Sequence, residues 1–285
     1  MITPDTLSSG LQGQVYQDSP VIAVRDVTMR FPLAKRYREW LFSPLRPRRV
    51  STALTNISLS VQTGDRIAVM GPNGAGKTTL LKLIGGLIFP TQGEVAVNGF
   101  STQHNNAQAR KSVGFVFNEE RSFFWRLSGA QNLEFFGTLD NLSGSALRGR
   151  IQYLIHLVGL DHAEDRPVSA YSSGMKQRLA LARVLIAEPD VLILDEPTRA
   201  LDPVACDEIV DLILADIYKD SRKTLLIATH RTEEALTLCN KVMVIDHGRL
   251  KAFDSIADIT ADGTTLLQYY RQSMLSEGNH EASLP

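Results

Sequence analysis

Eight consecutive residues, Gly71-Pro72-Asn73-Gly74-Ala75-Gly76-Lys77-Thr78, spell the pattern G-x-x-x-x-G-K-[ST] between an apolar run and a helical one. Ile67-Ala68-Val69-Met70 reads as a short buried strand, and 79–87 reads as the opening of a helix with apolar positions on most faces. A glycine-rich turn that leaves a strand and enters a helix marks a nucleotide site. Unpaired backbone N–H groups and the positive end of the helix dipole converge there on an anion. Gly71, Asn73, Gly74, Gly76, Lys77, Thr78 and Thr79 are the expected lining. Lys77 can reach the β and γ phosphates, and the Thr78 hydroxyl is the expected Mg²⁺ ligand.

With 285 residues and 44% hydrophobic content, the chain can bury a sizeable core as one large domain or two intertwined subdomains. The formal net charge of −1 gives no global basic field, so nucleic acid is not an expected partner. Cys206 and Cys239 lie far apart without metal-ligand spacing, which fits a reduced cytosolic setting. Each apolar stretch is too short for the ~20 residues that span a bilayer. A membrane role therefore calls for a partner chain.

Residues 1–19, rich in Ser, Gly, Gln and Asp, read as an unstructured lead, and the fold is expected from about residue 20. Strands are expected at 21–29, 54–61, 93–97, 113–117, 191–194, 225–228 and 242–246. Helices are expected at 129–136, 145–158, 174–187, 203–218 and 233–239. Strands mixed with helices in this way imply a layered α/β core with a parallel sheet, and the mainly helical stretch 118–180 reads as an inserted subdomain. No internal repeat is visible.

Val191-Leu192-Ile193-Leu194-Asp195-Glu196 is a continuous apolar strand ending in two carboxylates. That is the form of a Walker B element, in which Asp195 holds Mg²⁺ through water and Glu196 is the general base that polarises the attacking water. Upstream, Tyr171-Ser172-Ser173-Gly174-Met175-Lys176-Gln177-Arg178 stands directly before a helix. The order of phosphate loop, Ser-x-Gly helix start, Walker B strand, Asp-containing loop and then His230 resembles the nucleotide-binding subunit of an ABC transporter.

The resemblance covers about 21–250. It implies a P-loop NTPase core of the ABC ATPase type, with an inserted helical subdomain and an antiparallel β subdomain, using ATP and Mg²⁺. Against the family's Leu-Ser-Gly-Gly-Gln signature, Ser172 and Gly174 match while Ser173 and Met175 depart. In the family the signature of one subunit closes on the phosphate loop of another, which implies a homodimer with two ATP molecules in its interface. Arg199-Ala200-Leu201-Asp202 resembles the D-loop that crosses this interface, with Arg199 in place of the usual serine and Asp202 retained. His230, after Thr229, resembles the switch histidine that hydrogen-bonds the γ-phosphate. Asn118 takes the place of the Q-loop glutamine as a candidate ligand to Mg²⁺ or water, with Glu119 competing. Phe31 aligns with the aromatic that stacks on adenine, and Tyr37 competes for that role.

Two further segments point outward. Phe123, Phe124 and Trp125, flanked by Arg121 and Arg126, place aromatics in an expected surface loop. By the resemblance, this loop and 165–170 cradle a coupling helix from a membrane subunit, although the aromatics could instead fold back on the helical subdomain. The insertion 33–49 sets six basic residues against one acid, with Leu33, Tyr37 and either Trp40 or Leu41 at helical spacing. It resembles the gate helix of ABC-2-type subunits that export lipid-linked polysaccharides such as O-antigen or teichoic acid. The implied assembly pairs two ATPase subunits with two copies of a multi-span permease, peripheral at the cytoplasmic face of the inner membrane. The alternatives are a drug or lipid exporter of the same type, or a soluble ABC ATPase of translation or DNA repair. Residues 251–285 are expected to be a short extension and polar tail, too short for a carbohydrate-binding sandwich.

Overall fold

The computed structural model describes residues 19–33, 50–116, 123–163, 165–199, 201–217 and 220–275. Tyr37, Asn118, Glu119, Ala200, residues 1–18 of the lead and 34–49 of the insertion lie outside them. In chain order the elements are β1 (Ile22–Pro32), β2 (Val50–Val61), β3 (Arg66–Met70), α1 (Lys77–Ile84), β4 (Gln92–Val97), β5 (Phe100–Ser101), α2 (Asn106–Lys111) and β6 (Val113–Val116). There follow α3 (Gly129–Leu139), α4 (Gly144–Leu157), α5 (Ser173–Leu185), β7 (Val191–Asp195), α6 (Pro203–Ile217), β8 (Thr224–Ala228) and α7 (Thr232–Leu238). The described chain ends with β9 (Lys241–Asp246), β10 (Arg249–Ser255), α8 (Ile256–Thr260) and α9 (Leu266–Leu275).

Six strands form the main sheet in the order β10-β9-β3-β8-β7-β6. All neighbours are parallel except the β9–β10 hairpin. Apart from Arg66, Thr224 and Asp195 at their ends, β3, β8 and β7 are apolar because both faces are covered, and alternate side chains go to opposite cores. Ile67, Val69, Val191 and Ile193 enter one cluster, while Ala68, Met70, Leu192 and Leu194 enter another. A second, antiparallel sheet has the order β2-β1-β4-β5. Register shifts along β1 coincide with left-handed backbone at Asp26, and such bulges bend the strand over the core.

Helix α1 lies between the two sheets, and Leu80, Leu81, Leu83 and Ile84 are all buried there. Truncating one of them, as in Leu81→Ala, would cost about 2–5 kcal/mol, because neither sheet can collapse into the space. This burial fixes the start of α1, and therefore the phosphate loop, against the sheet ends. A third cluster gathers α3, α4 and α5 around Leu133, Leu154, Leu179 and Ala182. A full capping box, Ser128 with Gln131, starts α3. Buried Asn132 donates to the carbonyls of Phe124 and Ser128 and accepts from the Phe124 N–H, locking the aromatic loop to that helix.

The expected domain limit at residue 250 falls inside β10. Ala252, Ile256, Ile259 and Leu266 are buried in the main core, so the folded unit runs on through α9. Arg249 to Ser255 mixes charged and apolar residues as an edge strand does, and the two-residue turn at His247 and Gly248 is the signal that announces it. The short elements β5 and α2 have too few residues to show a period in the sequence.

Candidate active site

The phosphate loop leaves β3 at Gly71 and enters α1 at Lys77. Gly76 caps α1 in left-handed backbone at φ 109°, and a Cβ there would stand 2.8 Å from the Ala53 carbonyl oxygen. Among the described residues no side chain caps this terminus, and its first turn carries no acid. Its free N–H groups and dipole therefore suit an anion. The β9–β10 turn braces the loop from behind. Gly248 N–H donates to the Ala75 carbonyl at 2.9 Å, and the Gly248 carbonyl accepts from Thr55 N–H at 2.8 Å.

Lys77 is only 7% exposed, and its Nζ donates to the carbonyls of Gly71 at 2.7 Å and Pro72 at 3.1 Å. Burial lowers its pKa, while the carboxylates of Glu196 and Asp195 oppose the shift. An ammonium that has lost water in this way gains most from a polyanion brought into the same turn. The next residue, Thr78, donates through Oγ1 to Asp195 Oδ2 at 2.9 Å. Burial raises the Asp195 pKa; the Thr78 hydrogen bond opposes this and the Glu196 charge adds to it. A hydroxyl beside a desolvated carboxylate is a hard-oxygen pair that would suit Mg²⁺, a cation that takes oxygen ligands. Among the described residues no cluster of three or more His, Cys, Asp or Glu could hold a metal ion by itself.

Glu196 follows in left-handed backbone at φ 52°, an uncommon conformation for a side-chain-bearing residue. Its N–H donates to the Ala228 carbonyl at 3.0 Å, which pins the turn to β8. Its carboxylate pairs with the Arg199 guanidinium at 3.1 Å. In sequence Arg199 stands out only as a departure from the family's serine; the turn brings it back onto the carboxylate, a contact visible in i,i+3 spacing once a turn is assumed. At the end of β8, Thr229 N–H donates to Val69 O and exposed His230 begins the next loop. Strand pairing thus brings Lys77, Thr78, Asp195, Glu196 and His230 to one end of the sheet. Asn73 and Thr78 are exposed there and Thr79 is half-buried.

Ser172, Gly174 and Asp202 form a separate group. Ser172 Oγ caps α5 by accepting from Met175 N–H at 3.2 Å, so the Ser173 and Met175 departures leave the helix start intact. Asp202 caps α6, Oδ1 accepting from Ala205 N–H at 3.0 Å, with Pro203 as the first helical residue. The two caps are neighbours: a Cβ on Gly174 would lie 3.8 Å from that of Ala205. Arg178 joins the helices behind them through Glu208. Among the described residues no hydrogen bond or ion pair joins Ser172, Gly174 or Asp202 to the phosphate loop. Phe31 is exposed near the end of β1 and pairs with Ser51, beyond the strand segment that touches Gly76.

A family profile described as "ABC transporter" matches residues 54–199, half of the chain. The chain belongs to this family. The ABC transporter ATP-binding protein NatA of Bacillus subtilis (strain 168) is 34% identical over 203 residues, covering 71% of this chain and 82% of that protein. The taurine import ATP-binding protein TauB of Ruegeria pomeroyi is 36% identical over 193 residues, covering 68% and 70%. Among solved structures, cbiO1 from Clostridium perfringens, part of the ABC transporter complex cbiONQ, superposes with a TM-score of 0.70 at 26% identity. That likeness covers 91% of this chain and 96% of the other. The ATP-binding cassette MJ0796, a dimer bound to ADP and Pi, shares the fold with a TM-score of 0.70 at 24% identity over 82% of this chain and 98% of the other. This chain is therefore an ABC ATPase that uses ATP and Mg²⁺, the ATP-binding subunit of a transporter. Cassettes of the family work as dimers with membrane permeases. Among the described residues no helix is long and apolar enough to cross a membrane.

Proposed function

We propose that this ABC ATPase powers an exporter of a lipid-linked polysaccharide, docked at the cytoplasmic face of the inner membrane on two copies of a multi-span permease. The observation that carries the reading is the basic, aromatic insertion 33–49 at the tip of the β1–β2 hairpin. Pro32 pairs with Val50, so the insertion leaves and re-enters at one point, and exposed Phe31, Leu33 and Val50 make its base apolar. Apolar residues flanking a cationic stretch of sequence suit the boundary between a membrane protein and anionic lipid headgroups, pyrophosphate-linked ones included. Exposed Phe124 and Trp125, with Phe135 packed on Phe124 and Lys176 over the Trp125 ring, offer a second contact face, for the permease; Phe123 is the aromatic that folds inward.

In this reading Lys77 and the loop backbone bind the phosphates of ATP and Phe31 stacks on its base. Thr78 and Asp195 hold Mg²⁺, which supplies charge neutralisation at the phosphates. Glu196 takes the proton of the attacking water, and His230 hydrogen-bonds the γ-phosphate. Ser172 and Gly174 of a second copy complete the site, and Asp202 crosses between the copies.

Replacing Arg36, Arg38 and Trp40 together is expected to leave basal ATPase within about twofold and to impair export of the glycan in membrane vesicles. Loss of nucleotide binding instead would make the insertion part of the ATP site. The likeness to TauB favours a second reading, an import ATPase. Purification in mild detergent separates the two: a permease carrying a polyprenyl-linked glycan supports export, and a permease with a small-solute-binding partner overturns it.

A further inference from the structure

We propose that Glu234 is a positioning residue for hydrolysis, whose buried carboxylate clamps the loop carrying Glu196 to the loop carrying His230. Glu234 lies on α7 and is 4% exposed. Its Oε1 accepts from the Thr198 hydroxyl at 3.0 Å, and its Oε2 accepts from the Thr229 hydroxyl. Thr198 stands two residues after Glu196, and Thr229 stands directly before His230; they are 6% and 2% exposed. One carboxylate therefore joins two loops that leave the ends of adjacent strands β7 and β8.

Both threonines are fixed on their other sides. Thr229 Oγ1 also accepts from Arg231 N–H at 3.0 Å, which closes a tight turn around His230. The Thr198 carbonyl accepts from the Cys206 thiol at 3.6 Å and from Leu201 N–H at 3.3 Å, which ties it to the start of α6. A buried carboxylate is costly, and an apolar side chain of similar volume would pack there without that penalty. Packing alone, however, fixes no register between loops, whereas two directional hydrogen bonds to one planar group do. The clamp holds general base and histidine at a set spacing across the strand ends.

This inference rests on the roles given above to Glu196 and His230, so His230→Ala is measured beside the Glu234 variants in the full-length chain. Glu234→Gln keeps the volume but presents an N–H₂ group to one of the two hydroxyl donors. It is expected to lower kcat about tenfold, the loss of one hydrogen bond to a buried charge, with the ATP Kd within about twofold of wild type. Thr198→Val, an isosteric change that removes one donor, is expected to lower kcat in the same direction. It decides the matter should Glu234→Gln fail to fold. In a double-mutant cycle, Glu234→Gln with His230→Ala is expected to turn over about as slowly as His230→Ala alone.

Wild-type kcat for Glu234→Gln overturns the proposal, as does a loss confined to ATP affinity and thermal stability. Fully additive losses with His230→Ala overturn the link to the histidine. If His230→Ala itself turns over at the wild-type rate, the histidine assignment fails. Thr198→Val then tests the remaining half of the clamp, and a normal kcat there removes it as well.

Discussion

The phosphate loop and the signature helix both begin at a helix N-terminus, yet they are held in opposite ways. Lys77 itself bonds back to Gly71 and Pro72, but the ties that hold its surroundings are long-range: Thr78 reaches Asp195 at the end of β7, Glu196 is pinned to Ala228 at the end of β8, and Gly248 braces Ala75 from the β9–β10 turn. Around Ser172 and Asp202 the capping bonds reach only three residues along the chain, and both side chains face solvent. The first cluster is assembled by sheet register and is preorganised within one chain. The second is a pair of capped helix ends held by local bonds and open to solvent. Binding and turnover should therefore separate between the two regions.

The largest test of that comparison is Lys77→Ala, which should reduce phosphate release from ATP by at least about a thousandfold, since it removes the cation from the preorganised cluster. Retained full turnover would take the loop out of the mechanism. Glu196→Gln should follow, with turnover falling about 10²–10⁴-fold while ATP binding persists and a nucleotide-bound dimer accumulates on size-exclusion chromatography. Normal turnover in that variant would move the base elsewhere. Ser172→Ala sharpens the contrast. Nucleotide affinity of the single subunit should stay within about twofold and hydrolysis should drop about tenfold. Loss of the cap should cost about 1 kcal/mol in urea unfolding. Equal losses of affinity would place the signature in the binding half.

Gly248→Ala tests the brace alone. Gly248 has φ 72°, and a Cβ there would come 2.5 Å from the Ala53 carbonyl oxygen. Stability should fall by about 1–3 kcal/mol, with ATP affinity weakened only through the loop it supports.

Part of this is legible in the sequence. The phosphate loop, the Val191-to-Glu196 strand and Ser172 before its helix are local patterns: their chemistry needs a fixed spacing along one segment, and a buried parallel strand must be apolar at every position. The core beyond residue 250 was not legible, because β10 earns its place by pairing with β9 and its own residues mix charge with apolar side chains. The aromatic loop was legible only as a choice. Asn132 and the third core cluster decided that Phe123 turns inward while Phe124 and Trp125 stay out.

By itself the sequence determined the α/β class, the phosphate-binding turn, the acidic strand end and the family they resemble, since each is written in contiguous residues. Only the tertiary structure decided which of those residues meet. It set Thr78 on Asp195 and Arg199 on Glu196, and it buried Glu234 between Thr198 and Thr229. Glu234 and Thr198 are 36 residues apart in sequence, and no local period encodes their meeting. It follows from β7 and β8 lying side by side in a sheet whose order the chain does not follow.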